Sequence, residues 1–144
     1  MTAPTPTDSA PAGLAARRLT LGAQYLIAAV FLALGGWALF APASVIDLAV
    51  TEPYRDSSFL ARFTMACFGA QAVLFGLMAL AVRWSARGFA VFAVLLLPFF
   101  GFNYWFHYEV PVLTSIGMLD FAGNVTMLAC ALVGWRAALR EERA

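Results

Sequence analysis

Four long apolar stretches alternate with short polar interruptions along this chain. Residues 21–40, "LGAQYLIAAVFLALGGWALF", carry no charge. Residues 59–82 hold only Arg62, residues 88–108 hold no Asp, Glu, Lys or Arg, and residues 114–135 hold only Asp120. A helix of about 20 residues, rising about 1.5 Å per residue, crosses a hydrocarbon core of about 30 Å. Each stretch therefore predicts a membrane-spanning helix. None shows the strict alternation of a barrel strand, and only helices or closed barrels satisfy their backbone in lipid. The links at 41–58, 83–87 and 109–113 are short, which sets neighbouring helices antiparallel. The predicted fold class is all-α: a transmembrane up-down four-helix bundle forming one domain over residues 21–136.

The remaining segments are polar. Residues 1–20, rich in Ala, Pro and Thr, read as a disordered cytoplasmic tail. Arg17-Arg18 and the small residues 41–43 mimic a secretion signal, but the apolar run exceeds the usual 7–15 residues of such a signal and is read as a retained span. Residues 137–144 form a charged cytoplasmic tail, in which Glu141-Glu142 interrupts any basic patch. In the outer link, residues 43–50 have the spacing of a short surface helix, Pro53 is a breaker, and Ser57-Ser58 suit the start of helix two.

Composition narrows the class. Hydrophobic residues make up 62% of the 144 and charged residues 12%. A water-exposed domain carries about 25% charged residues, and a disordered chain is less apolar still. The net charge of +1 gives no basic face for nucleic acid. All the basic residues are Arg. Seven of them (17, 18, 83, 87, 136, 140 and 143) fall on one side of the predicted topology, against Arg55 and Arg62 on the other. Positive charge marks the inner side, so both termini are placed in the cytoplasm. Trp37, Trp84, Trp105 and Trp135 each lie near one predicted helix end, where an indole prefers to sit.

Polar residues inside spans point to candidate chemistry. Asn103 and His107 share a face of helix three, as Asp120 and Asn124 share one of helix four. A hairpin turn centred near 111–112 sets Asn103 level with Asp120. Arg62 is long enough to reach the same layer and is the expected charge partner of Asp120. The expected outward-facing pocket comprises Arg62, Asn103, His107, Asp120 and Asn124, with Tyr104, Tyr108 and Glu109 outside it. It would suit a quinone or lipid head group, or a proton. The same residues also suit an internal ion pair and packing hydrogen bonds.

Other signals are weaker. One His makes neither a bis-His haem nor a typical zinc site, and His–Met haem ligation through Met65 or Met118 is the one haem arrangement left. Cys67 and Cys130 fall at different depths, which disfavours a bridge. Pro98 predicts a kink in helix three. The aromatic run that follows, including Phe99, Phe100, Tyr104 and Trp105, could contact a flat ring, a partner or lipid. Gly35-Gly36, Gly69, Ala72, Gly76 and Gly117 mark close helix contacts. Gln24 and Gln71 read as hydrogen-bonding packing residues. No nucleophile–base pair, phosphate loop or zinc motif assembles.

The segment "LGAQYLIAAVFLALGGWALFAP" and the spacing of the spans resemble the DoxX-like small bacterial membrane proteins. These are four-span proteins with a Gly-rich first helix and a Pro-containing outer loop. The resemblance implies a multi-pass protein of the bacterial inner membrane, and some members are linked to quinone-coupled oxidation as subunits. It transfers no functional residue. Three functions follow, in order: a non-catalytic accessory or scaffold subunit of a membrane complex, with a membrane-protein partner or a second copy; a quinone- or lipid-binding redox accessory; and a small proton-linked transporter.

Overall fold

Residues 9–143 are described in a computed structural model. The fold is all-helical, with four helices long and apolar enough to cross a membrane: Gly13–Phe40, Phe59–Ala81, Ala86–Glu109 and Leu119–Glu141. The first belongs to α1, Ser9–Phe40. The sequence reads residues up to 20 as a tail, yet the helix runs back to Ser9. Ala10, Ala12, Ala15 and Ala16 are strong helix formers, and a proline such as Pro11 is tolerated in a first turn. Residues 1–8 of the expected tail lie outside the described residues. Ala16 and Thr20 are buried, and the Thr20 hydroxyl donates to Ala16 O at 3.0 Å.

The link after α1 holds α2, Pro42–Ala49, with Pro42 at its start and Ile46 and Ala49 buried. A single 3-10 turn over Glu52–Tyr54 follows. Helix α3, Phe59–Ala81, is capped by the Ser58 hydroxyl, which accepts from Ala61 N at 3.2 Å. Helix α4, Ala86–Tyr104, is capped likewise by Ser85. It continues through Pro98 and widens into a π-helical turn, Trp105–Glu109.

Helix α5, Leu119–Glu141, starts five residues later than the apolar pattern suggests. Thr114 is the reason. Its hydroxyl donates to Leu48 O at 2.5 Å and accepts from Gly117 N at 3.1 Å, while its amide donates to Ala49 O at 3.0 Å. Thr51 completes the clamp, donating from its amide to Val112 O at 2.8 Å and from its hydroxyl to Pro111 O at 2.7 Å. These bonds hold residues 111–117 against the end of α2, so the chain cannot enter α5 until Leu119. At its other end α5 runs on to Glu141, since Ala, Leu, Arg and Glu favour helix. Residues 137–141 of the expected tail are therefore helical, and Ala137 and Ala138 are buried.

Helix α1 packs on α3 and α5, and α5 packs on α4. A side chain at Gly69 would strike the backbone of Gly35, Ala38 and Leu39, so α1 and α3 meet backbone to backbone there. Gly76 meets Leu32 and Ala28 one layer on. Gly134 of α5 gives up its side-chain space to the Phe89 ring, which is fully buried. The core continues through Ala23, Ile27, Ala93, Leu96, Met127 and Ala131. Large apolar residues such as Leu60, Phe63, Leu74 and Val94 face outward. A bundle with this apolar exterior is suited to lipid rather than water.

A polar lock closes the end that carries the α3–α4 link. Gln24 of α1 is buried and donates from Nε2 to Ala79 O at 2.5 Å and Val82 O at 2.7 Å. Its Oε1 accepts from Trp84 N at 3.0 Å. Glu142 accepts from Ala86 N at 3.0 Å, and Arg83 pairs with Glu141. The reading of Gln24 as a packing residue is refined: it caps one helix and orders the next.

Candidate ligand cleft between α3 and α4

Helices α3 and α4 are consecutive, yet they do not pack along their length. The space between them is a cleft of about 330 Å³, backed by α1 and α5. Its floor is aromatic. Phe31 lies 4.6 Å from Phe75 between ring centroids, and Phe75 stacks on Phe92 at 5.8 Å. Trp84 supports this floor from beneath, 5.2 Å from Phe92 and 5.1 Å from Phe89. Phe68, Leu95 and Phe99 line the mouth and are 59%, 65% and 46% exposed. The cleft therefore opens sideways between α3 and α4, towards the surface that lipid would cover.

The lining is apolar except for Gln71, Asp120 and Asn124. Asp120 lies in the first turn of α5, where the helix dipole favours a carboxylate. Its Oδ2 accepts from Asn103 Nδ2 at 2.9 Å and from Asn124 Nδ2 at 3.0 Å. Asn103 Nδ2 also donates to Phe99 O at 2.9 Å. Asn103 is fully buried and Asn124 nearly so, which fixes the side of the carboxylate that they bind. Asp120 Oδ1 accepts no hydrogen bond from the described residues. Asn103 Oδ1 is buried without a partner.

The sequence-predicted pocket is thus only partly assembled. Asn103, Asp120 and Asn124 form one network, as their spacing suggests. Arg62 does not join it. It is exposed in the first turn of α3, and the only salt bridge among the described residues is Arg83–Glu141. The first α3 residue in the cleft wall is Phe68, about 9 Å further along the helix axis. Because α3 packs on α1 rather than on α4, Arg62 is not carried across to Asp120. His107 is also apart. It sits half-buried in the π-helical turn, edge-on to Tyr108 at 4.8 Å, and its Nδ1 has no partner.

Of the four aromatic contact candidates, only Phe99 lines the cleft. Phe100 packs edge-on against Phe121 at 5.8 Å. Tyr104 and Trp105 are exposed, with Tyr104 5.3 Å from Tyr108. The aromatic slot is instead built from Phe31, Phe68, Phe75 and Phe92, which in the sequence look like ordinary apolar span positions. Gln71, read there as packing, is an exposed cleft residue. Its place in the middle of an apolar span was the available signal. Among the described residues no three His, Cys, Asp or Glu side chains gather to hold a metal ion. No family model, curated protein or solved structure matches the chain.

Proposed function

We propose that this is a four-span protein of the bacterial inner membrane, an up-down bundle with both termini in the cytoplasm. We propose further that it holds a lipid-soluble molecule in the α3–α4 cleft as an accessory to a membrane complex. The single observation that carries the binding reading is the cleft itself. It has an aromatic floor, a sideways mouth, and one carboxylate fixed by two amides in a wall whose only other polar residues are Gln71 and Asn124. Ligand sites combine an apolar lining with a few placed polar groups in this way. Quinones and membrane lipids belong to the class of molecule that reaches such a mouth. The uneven placing of Arg supports the orientation. The layout shared with the DoxX-like proteins is part of the same proposal.

A scaffold role without a ligand is the second reading. The exposed rings of Phe102, Tyr104, Trp105 and Tyr108 at one end of the bundle favour it, since aromatic residues are enriched at protein interfaces. Native mass spectrometry of protein gently extracted from its own membrane separates the two. The binding reading expects a bound small molecule of defined mass, retained by wild type and lost when Leu95→Trp narrows the mouth. Co-purified subunits with no small molecule in either form would favour the scaffold and count against the cleft.

A further inference from the structure

We infer that the cleft selects a lipophilic ammonium: an apolar, ring-bearing molecule with a single positively charged amine that donates to Asp120 Oδ1. The inference rests on the binding reading above and adds the chemistry of the ligand. The first observation is the imbalance of the polar wall. Asp120 is the only charged residue among those lining the cleft, and no Arg pairs with it among the described residues. Asn103 and Asn124 spend an amide donor each on Oδ2, and Oδ1 is left with capacity to accept. Asn124 Oδ1 accepts nothing among the described residues either. The wall therefore carries one negative charge and no positive one, and its free donors are only the neutral amides of Gln71 and Asn124.

The second observation is the rings. Phe31, Phe68, Phe75, Phe92 and Phe99 surround the same space. An aromatic face attracts a cation, and the attraction is larger away from water. A carboxylate and aromatic faces thus favour the same ligand charge. An anionic head would meet an unpaired carboxylate in an apolar wall, and like charges there repel strongly. A quinone offers only carbonyl acceptors and gains nothing from Asp120. A neutral hydroxyl can donate but gains neither the ion pair nor the cation–π attraction. The cleft is at the small end of ligand pockets, about 300–1,000 Å³, so one ring with a short chain fills it.

Three probes with one body and different heads test this: 4-phenylbutylamine, 4-phenylbutanol and 4-phenylbutyrate. Each is titrated calorimetrically into the full-length protein in uncharged detergent micelles at neutral pH, with empty micelles as the blank. The amine is expected to bind about ten- to a hundredfold more tightly than the alcohol, and the carboxylate least. In Asp120→Asn, which keeps the shape of the side chain, the amine should fall to the level of the alcohol. Equal binding of all three by wild type would overturn the ammonium inference and leave the cleft standing as a ligand site. Amine preference that survives in Asp120→Asn would also overturn it, by placing the cation elsewhere. No binding by any probe would overturn the inference together with the binding reading. The wild-type comparison needs no variant to decide the first and last of these outcomes.

Discussion

Replacing Gln24 with leucine removes the side chain that ties α1 to the end of α3 and the start of the α3–α4 link. Leucine fills a similar volume, so the loss is chiefly polar. Three hydrogen bonds disappear: two to the carbonyls of Ala79 and Val82 and one from the Trp84 amide. Ala79 O belongs to the last turn of α3, where a helix leaves carbonyls without amide partners. Polar contacts in membrane proteins average about 0.6 kcal/mol, because the unfolded chain in the membrane finds other partners. Three of them give a floor of about 2 kcal/mol. A carbonyl left buried and dry costs about 1–3 kcal/mol on its own, which raises the expected loss to about 4 kcal/mol. Water can reach the bonds of Val82 and Trp84, which are only partly buried, so the upper figure needs Ala79 O alone to stay dry. Gln24→Glu is the sharper variant. It keeps the oxygen that Trp84 binds but sets a second oxygen against two carbonyls, so it should cost at least as much as leucine. Reversible unfolding in mixed micelles, followed by far-ultraviolet circular dichroism, measures both. Stabilities within about 0.5 kcal/mol of wild type for both variants would refute the account of this lock.

Gly35 and Gly36 are adjacent but should behave oppositely. Alanine at 35 meets Ala72 Cβ at 2.7 Å and should destabilise by about 1–3 kcal/mol, whereas alanine at 36 meets nothing within 4 Å and should be neutral or stabilising by up to about 1 kcal/mol, by the same unfolding assay. Thr114→Val removes the hydroxyl bonds to Leu48 O and from Gly117 N and should cost about 1 kcal/mol, with faster amide exchange at Gly117. Arg62→Gln should change stability by no more than about 0.5 kcal/mol, since Arg62 pairs with no acid among the described residues; a loss above about 2 kcal/mol would restore the Arg62–Asp120 bridge.

The helices and part of the site were legible in the sequence for separable reasons. Span existence follows from length and hydropathy, which do not depend on neighbours. The Asn103–Asp120–Asn124 network follows from helical spacing plus a short hairpin, and both are local. The Arg62 assignment failed because it depends on which helix α3 faces. That is decided by Gly69 and Gly76 meeting α1 at backbone distance, a feature of two surfaces rather than of one segment. The aromatic floor was hidden for the same cause. Phe31, Phe75 and Phe92 come from three helices and look like ordinary apolar positions until α3 and α4 part above them. The late start of α5 depends on Thr114 bonding Leu48 O across 66 positions, which no local pattern encodes. The early start of α1 is legible in principle in the alanines of residues 10–16, but that segment has no apolar run to mark it as part of a span.

The central claim is that the sideways cleft holds a molecule distinct from bulk lipid. Photo-crosslinking in native membranes tests it most directly. A photoreactive phenylalanine is placed at Phe68 or Leu95 in the cleft wall, and at Leu74 or Leu97, which are exposed but outside that wall. Intact-mass analysis after illumination should give one recurring small-molecule adduct at 68 and 95 and a spread of bulk-lipid adducts at 74 and 97. The same lipid spread at all four positions would contradict the account.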